Sequence, residues 1–337
     1  MQSSENVAKR NYTLDVLKLV AAVFVTFIHV RFPGDVGEMV SAIARFAVPM
    51  FFMISGYYGA HDECTKIIKK ARHIAWMLAH AAVFYLIVNS IKSLCSGWGA
   101  FEGWILEIFS WREVLRLLLL NSVSWSEPLW FLPALIYTYL VWWCVKRARV
   151  SHCIVYAVSL LLLIVHLCFG ELSFIHGYRP ETSIYVRNFL LFGFPFFSFG
   201  VFIREHESGI LRLISTPMAV VMIVFGSVLA ALSVWLYQLN EFYIGTIPTV
   251  LALFVLALRF SDAEIPKCLK KLSRISTAYY ILHPLAISLF WWISSKNWVL
   301  GTLKPIFAVL LTVLLSAIFL QVGKYAKSKR IEEKSLD

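Results

Sequence analysis

The chain has 337 residues, of which 59% are hydrophobic and only 15% are charged. A soluble domain is usually about 45–50% apolar and about 25% charged. Three stretches, residues 150–170, 213–237 and 305–322, contain no Asp, Glu, Lys or Arg. Each is close to the roughly 20 apolar residues that cross a bilayer as a helix. The composition therefore excludes a soluble domain and predicts an all-α integral membrane protein.

The net charge of +11 has a topological explanation. The basic residues lie between apolar segments, so no nucleic-acid partner is expected. The six cysteines are scattered and form no CxxC pair, so neither a metal site nor a disulfide framework is predicted. Lys9 and Arg10 precede the first apolar segment as they would in a signal peptide. Because no small-residue cleavage site follows, we expect this segment to be retained.

Runs of apolar residues predict about ten transmembrane helices. In chain order they cover approximately residues 12–31, 40–59, 71–94, 128–146, 151–169, 184–203, 213–237, 242–259, 275–295 and 304–323. The stretch Trp111–Leu120 is too short to span and is predicted to be an interfacial or re-entrant helix. No soluble insertion separates these segments, so residues 1–337 are predicted to form one transmembrane domain.

The short loops predict the orientation of the bundle. Basic clusters at residues 66–72, 146–149 and 267–274 alternate with loops that carry few basic residues. The positive-inside rule places these clusters in the cytoplasm. Both the N-terminus and the C-terminus are therefore expected to be cytoplasmic, with residues 324–337 as a solvated, partly disordered tail.

The first predicted span carries Asp15, Lys18 and His29. The three residues share one helical face, because eleven residues advance a helix by three turns and about 20°, or about 16 Å along its axis. A charge inside a membrane costs at least ~2.5–3.5 kcal/mol, so such residues are candidates for function. The alternative is structural: Asp15 and Lys18 form an ion pair near one interface, and His29 is an interfacial residue.

Several side chains in or beside other spans are candidates for contact with a substrate: Arg45, Tyr57, Glu127, Trp130, Arg187 and His283. Arg45 enters a span that Pro49 is predicted to kink. Arg187 and His283 are the hardest to explain as interfacial residues, because neither lies clearly at a span end. For Trp130 the alternative is a place in the aromatic belt.

The basic run "KIIKKARHI" opens the third predicted span and contains Lys69 and Arg72. Two interpretations of this run stay open. It is an ordinary cytoplasmic anchor of the kind that the positive-inside rule describes, or it is a clamp for an anionic group such as a phosphate.

The first span resembles the first helix of the acyltransferase 3 family of bacterial membrane O-acyltransferases. That helix carries Asp-x-x-Arg and a His eleven residues after the Arg. Asp15, Lys18 and His29 match this pattern with Lys in the place of Arg. A Lys keeps the positive charge but loses the bidentate fork of Arg.

The resemblance continues along almost the whole chain. The segment 48–57, "VPMFFMISGY", resembles the end of the family's second helix, and Lys69 with Arg72 loosely matches an Arg-x-x-Arg at the start of the third. Three further blocks resemble the family in order: "LWFLPAL" at 129–135, "RNFLLFGFPFFSFG" at 187–200 and "LSRISTAYYILHP" at 272–284.

The resemblance implies transfer of an acyl group, most simply acetyl, from cytoplasmic acyl-CoA to a hydroxyl of an envelope glycan. No tightly bound cofactor is expected, and acetyl-CoA or another acyl-CoA is the donor substrate. The partners implied are membrane lipid and a carbohydrate or lipid-linked glycan acceptor, with a homodimer as one possible assembly. The location implied is the bacterial cytoplasmic membrane.

The resemblance also implies roles for the candidate residues. His29 acts as the general base, Lys18 meets the thioester, and Asp15 holds Lys18. Lys69 and Arg72 meet the phosphates of coenzyme A. The candidates for holding the acceptor or the developing oxyanion are Arg45, Glu127, Trp130 and Arg187. Tyr57 and His283 are further candidates for binding the substrate.

Two rival functions stay open. The chain also resembles the membrane part of the serine racemases of glycopeptide resistance, which suggests a transporter of a small polar molecule such as serine, or an exporter of a glycan. A membrane partner that has lost catalysis is the second rival, and Lys at the usual Arg positions suits it. Dependence on acyl-CoA separates the enzyme from both.

Overall fold

The structure is a computed structural model that describes residues 11–172, 185–237, 241–294 and 298–334. These residues form helices and loops and contain no strand. The first α-helices are α1 (Tyr12–His29), α2 (Gly34–Ala44), α3 (Ala47–Gly59), α4 (Cys64–Cys95), α5 (Trp98–Ile108), α6 (Trp111–Leu120), α7 (Phe131–Arg147) and α8 (His152–Phe169). The later ones are α9 (Phe194–Glu205), α10 (Glu207–Leu213), α11 (Thr216–Tyr237), α12 (Thr246–Arg259), α13 (Lys267–Ser273), α14 (Ser276–Ser294) and α15 (Trp298–Lys334).

Two short elements complete the described chain. A 3-10 turn, Glu127–Trp130, leads into α7, and a π-helical turn, Phe189–Gly193, leads into α9. Pro128 suits the first turn of a helix because its missing N–H has no partner there in any case. Both elements carry residues of the candidate site described below.

Within the described residues, seven helical segments are long and apolar enough to cross a membrane: Tyr12–His29, Gly34–Gly59, Cys64–Cys95, Glu127–Arg147, His152–Phe169, Thr216–Leu236 and Thr302–Tyr325. These coincide with seven of the predicted spans. The other three predicted spans, 184–203, 242–259 and 275–295, begin or end outside the described residues or form helices that do not reach that standard. The integral membrane fold is thus supported, whereas the count of ten and the sidedness of the ends stay predictions.

The boundaries differ from the prediction in two places. α4 begins at Cys64, seven residues before the predicted start of the third span at residue 71. α15 continues to Lys334, so the predicted partly disordered tail is helical up to that residue. Trp111–Leu120 forms helix α6 with the predicted bounds.

The predicted span 40–59 is divided into two helices. α2 ends at Ala44 and α3 begins at Ala47, with Arg45 in the turn between them. Pro49 explains the break, because it has no N–H for the carbonyl of Arg45, four residues earlier, and its ring crowds that carbonyl. The predicted kink is confirmed as a break one turn before the proline. The break places Arg45 at a helix end, where its side chain turns toward the candidate site.

α3 and α9 cross in direct backbone contact at two glycines. A Cβ atom on Gly56 would lie 1.9 Å from the carbonyl oxygen of Phe197, and one on Gly200 would lie 2.0 Å from the carbonyl oxygen of Met53. Real Cβ atoms do not approach backbone so closely, so only glycine permits this crossing. Small residues are the usual means by which membrane helices approach each other.

A proline inside α14 interrupts its backbone hydrogen bonds, and the hydroxyl of a tyrosine from α4 satisfies two of the backbone groups beside it. Pro284 lies inside the helix and disturbs the hydrogen bonds around it. The hydroxyl of Tyr85 in α4 donates to the carbonyl of Ile281 at 2.6 Å and accepts the N–H of Leu285 at 3.2 Å. The insertion satisfies both backbone groups away from water, as a membrane interior requires, and joins α4 to α14.

Gly200→Ala is predicted to destabilise the protein, because the added methyl group must push α3 and α9 apart. Overpacking of this kind costs about 1–3 kcal/mol. Thermal unfolding of the detergent-purified protein measures the effect. Gly209→Ala is the matched control: a Cβ atom there meets nothing within 4 Å, and Ala is a better helix former than Gly by about 0.5–1 kcal/mol. Equal melting temperatures for the two variants would contradict the crossing.

Candidate active site

Two cavities lie end to end along α1. The lysine cavity has a volume of about 360 Å³ and is lined by Asp15, Lys18, Lys70 and His73 among others. The histidine cavity has a volume of about 30 Å³ and is lined by His29, Arg45, Trp130, Arg187 and Glu241 among others. The first has the size of a small-molecule site, and the second has room for about one or two waters.

His29 is the last residue of α1, and its exposed side chain lines the histidine cavity. The end of α1 is held against α14 by a buried hydrogen bond of 2.8 Å between the hydroxyls of Thr26 and Tyr279. This bond fixes the height of His29 relative to α14. Lys18, two turns into the same helix, lines the lysine cavity. The face of α1 that bears Asp15, Lys18 and His29 therefore has one end in each cavity.

A chain of four charged side chains lies at the histidine cavity, and three of them, Arg45, Arg187 and Glu241, line it. Glu241 Oε2 accepts a hydrogen bond of 2.6 Å from Arg45 Nη1, and its Oε1 lies 3.7 Å from Arg187 Nη1. Arg187 Nη2 donates to Glu127 Oε1 at 2.8 Å. Two positive and two negative groups thus alternate, and a carboxylate orients the guanidinium group of each arginine. These four charged side chains link the α2–α3 break, the turn before α7, the segment before α9 and the loop before α12.

Glu241 lies between α11 and α12, outside the candidate membrane spans. Burial by itself would raise the pKa of its carboxyl group, but the charges of Arg45 and Arg187 outweigh burial and lower the pKa below its ordinary value. The carboxylate is therefore ionised at neutral pH. A lowered pKa in the folded state stabilises the protein above the unfolded pKa, and this contribution is lost as the pH falls through the folded value.

Arg187 is positioned by the π-helical turn that follows it. The side chain of Asn188 caps this turn by accepting the N–H groups of Leu190 and Leu191, at 2.8 and 2.9 Å. The guanidinium carbon of Arg187 lies 5.2 Å from the centre of the Trp130 ring, a cation–π distance. Trp130 is 7% exposed, so it serves the site rather than an aromatic belt. π-helical turns often occur at functional sites because they re-aim a side chain.

His283 lies beside His29, with 5.6 Å between the ring centres. Its Nδ1 lies 2.6 Å from the carbonyl oxygen of Tyr280, the acceptor that Pro284 leaves without its helical N–H. A carbonyl oxygen can only accept, so Nδ1 carries the proton and Nε2 carries the lone pair. Nε2 is buried and has no hydrogen-bond partner. The site therefore holds two imidazoles, one exposed to the cavity and one with a free acceptor.

The lysine cavity is lined by the face of α4 that bears Lys70, His73, Ile74 and Met77. This spacing of three, four and seven residues is one helical face. Lys69 and Arg72 lie on other faces, are exposed and do not line the cavity. Of this basic run, the structure therefore brings Lys70 and His73 to the cavity, and not the predicted Lys69 and Arg72.

Lys70 is held in place by groups at the end of α3. Its Nζ forms an ion pair with Asp62, which is 4% exposed, and donates to the carbonyl of Tyr58 at 3.1 Å. Asp62 also pairs with Lys66 at 2.7 Å. The position of the ammonium group at the cavity is therefore fixed by the fold.

Tyr57 does not reach either cavity. Its hydroxyl donates to Glu207 Oε2 at 2.7 Å and accepts from Arg204 Nη1 at 2.8 Å. The predicted role of Tyr57 in substrate binding has no geometric support, because these bonds tie α3 to the junction of α9 and α10. The residue is structural here.

Sequence analysis missed Glu241 and Tyr280. Glu241 is a single acidic residue in "QLNEFYIG", a short loop in which an acidic residue is unremarkable. Tyr280 lies in the block "STAYYILHP", three residues before His283. This spacing puts the two side chains close together on one helix, and it was the signal that could have identified Tyr280. Within residues 11–172, 185–237, 241–294 and 298–334, no group of three or more His, Cys, Asp or Glu is placed to hold a metal ion.

Comparison with known proteins identifies the class. A family model described as an acyltransferase domain, that of the acyltransferase 3 family, matches residues 11–321. No curated protein and no solved structure matches the chain. Because the match covers nearly the whole chain, the chain belongs to the acyltransferase 3 family. It is therefore an acyltransferase that transfers groups other than aminoacyl groups, and its apolar helices indicate a multi-pass membrane protein.

Glu241→Gln is predicted to destabilise the protein, because it leaves Arg45 and Arg187 close together without the carboxylate between them. The expected cost is about 1–3 kcal/mol. Denaturant unfolding between pH 7 and pH 3 measures it. Wild-type stability should fall as the pH drops below about 4.5, the ordinary value for Glu, and the variant should lack this part of the fall.

The control is Glu102→Gln, which removes an exposed carboxylate from α5. It should change neither the stability at pH 7 nor the shape of the pH curve. Identical curves for Glu241→Gln and wild type would show that the charge chain does not depend on Glu241.

Proposed function

We propose that the protein transfers an acyl group from cytoplasmic acyl-CoA, held in the lysine cavity, to an acceptor hydroxyl in the histidine cavity. The observation that carries the proposal is that α1 bears Lys18 in one cavity and His29 in the other. The two residues are about 16 Å apart by the helical rise. A long, thin donor with an anionic end and a reactive end fits this arrangement, and acyl-CoA has that shape.

The basic residues support binding of the donor at the lysine cavity. Lys70 and His73 line it, and Lys18 lies deeper, beside Asp15. Lys69 and Arg72 are exposed on the same helix and meet phosphates that remain outside. Phosphate groups are bound by such clusters of basic donors. The donor would then extend toward His29 with its thioester first.

His29 is the general base in the proposed reaction. Its free ring nitrogen takes the proton of the acceptor hydroxyl as the oxygen attacks the thioester carbonyl carbon, which forms a C–O bond. The carbon–sulfur bond then breaks, and the leaving thiolate takes the proton from the imidazolium of His29. The products are an O-acyl ester and coenzyme A with a free thiol.

The charge chain supports stabilisation of the oxyanion. Arg45 and Arg187 line the same cavity as His29, and their guanidinium groups are fixed by Glu241 and Glu127. Donors that are oriented before the reaction stabilise developing charge most effectively. Trp130 packs against Arg187 and so helps to hold its guanidinium group beside the cavity. An envelope glycan or a lipid-linked glycan suits this position.

The location follows from the basic loops. If the positive-inside rule holds, the lysine cavity opens to the cytoplasm and the histidine cavity to the outer face. We therefore propose the bacterial cytoplasmic membrane, with ten spans and both ends inside.

A transporter of a small polar molecule is the second candidate. The observation that favours it is the pair of cavities that meet inside the bundle, as in a protein that opens alternately to two sides. A transporter needs no acyl-CoA and makes no free thiol. Release of coenzyme A with a free thiol therefore distinguishes the acyltransferase from the transporter.

His29→Ala is predicted to lower acyl transfer by about 10²–10⁴-fold, the usual contribution of a general base. Purified protein in lipid nanodiscs would be incubated with radiolabelled acetyl-CoA and a bacterial lipid-linked glycan fraction. Labelled glycan and free coenzyme A thiol are then measured. His206→Ala is the control, since His206 is exposed, bonds the carbonyl of Phe202 and lines neither cavity.

Wild-type rates in His29→Ala would overturn the assignment of the base. Uptake of labelled serine into proteoliposomes, without any release of thiol from acetyl-CoA, would favour the transporter instead.

A further inference from the structure

The lysine cavity and the histidine cavity share three lining residues: Phe51, Phe131 and Tyr280. Their rings contact each other in all three pairs. The ring centres are 5.5 Å apart for Phe51 and Phe131, 5.5 Å for Phe131 and Tyr280, and 6.2 Å for Phe51 and Tyr280. The rings therefore pack together where the two cavities meet, and we call these three side chains the aromatic partition.

Each ring of the aromatic partition comes from a different helix: Phe51 from α3, Phe131 from α7 and Tyr280 from α14. The side chains are only 5%, 7% and 7% exposed. The hydroxyl of Tyr280 donates to the carbonyl of Pro128 at 2.5 Å. This hydrogen bond fastens the Tyr280 ring to the 3-10 turn before α7. A polar contact therefore holds one of the three buried rings in place.

The two cavities that meet at the partition differ greatly in volume. The lysine cavity has a volume of about 360 Å³, but the histidine cavity has only about 30 Å³, enough for about one or two waters. A thioester that reaches His29 must therefore pass between the rings and occupy the gap that they leave. The histidine cavity offers little volume beyond the rings, and each added methylene of the acyl chain needs more of that volume.

We propose that Phe51, Phe131 and Tyr280 form a gate that closes the donor cavity off from His29 and limits the length of the acyl group that is transferred. This proposal rests on the acyl transfer proposed above. When the donor arm enters, the rings move apart, and the bond from Tyr280 to Pro128 breaks. A short acyl group passes through the opening, and a long one is retained in the lysine cavity.

A labelling experiment tests the gate without any catalysis. The parent is the full chain with Ile28→Cys, which lies in the histidine cavity, and with its six cysteines changed to Ser. A membrane-impermeant thiol reagent is added to proteoliposomes from the lysine-cavity side. The parent should be protected, and Phe131→Ala should lose this protection. The control is Ile136→Ala, which removes an apolar side chain from the same helix, α7, and lines neither cavity.

Phe51→Ala should also lose protection and serves as the second variant if Phe131→Ala does not fold. Tyr280→Phe keeps the ring but removes the hydroxyl, so it should lose only part of the protection. Equal protection in the parent, Phe131→Ala and Phe51→Ala, or equal labelling in all three, would overturn the gate.

Donor selectivity tests the limit on acyl length. The ratio of the rate with hexanoyl-CoA to the rate with acetyl-CoA should rise by about tenfold or more in Phe131→Ala and Phe51→Ala, and stay at the wild-type value in Ile136→Ala. An unchanged ratio with normal acetyl transfer would overturn the limit but not the proposed function. Absence of transfer from any acyl-CoA in wild-type protein would overturn the proposed function, while the labelling experiment still decides the gate.

Discussion

The ion pairs of Glu241 are the contacts on which the arrangement of the site depends. Glu241 lies between Arg45 and Arg187, which come from segments far apart in the chain. In a membrane protein an unpaired charge near the hydrocarbon is expensive. Glu241 therefore neutralises Arg45 inside the bundle and shares Arg187 with Glu127. Their positions beside His29 follow from that constraint.

Prolines account for much of the local geometry around these charges. Pro49 ends the helical run at Arg45 and frees this side chain to turn into the site. Pro284 leaves the carbonyl of Tyr280 without its usual N–H, and His283 takes that place. Both prolines remove a backbone donor, and both vacancies lie next to a residue of the candidate site. The irregular backbone is tolerated because it is buried in protein and lines cavities.

The sequence was sufficient to predict the residues whose chemistry is unusual in a membrane, but not their partners. His29, Arg45, Arg187 and His283 stood out because ionisable groups are rare in apolar spans, and the structure brings them together. Glu241 did not stand out, since acidic residues are ordinary in loops. The basic residues that line the lysine cavity, Lys70 and His73, lie one position after the predicted Lys69 and Arg72, because a run of basic residues does not reveal which helical face meets a cavity. That depends on the rotation of α4, which is set by tertiary packing.

The 3-10 turn Glu127–Trp130 connects the charge chain to the aromatic partition. Glu127 binds Arg187, Trp130 packs against the same guanidinium, and the carbonyl of Pro128 accepts the hydroxyl of Tyr280. Because a turn of only four residues makes all three contacts, we expect a change at one of them to disturb the others. Displacement of the Tyr280 ring is therefore expected to strain the turn, and Glu127 and Trp130 of the same turn hold Arg187 in place. The barrier between the cavities and the charges around His29 thus share one mechanical support, and a substitution in the turn should affect both.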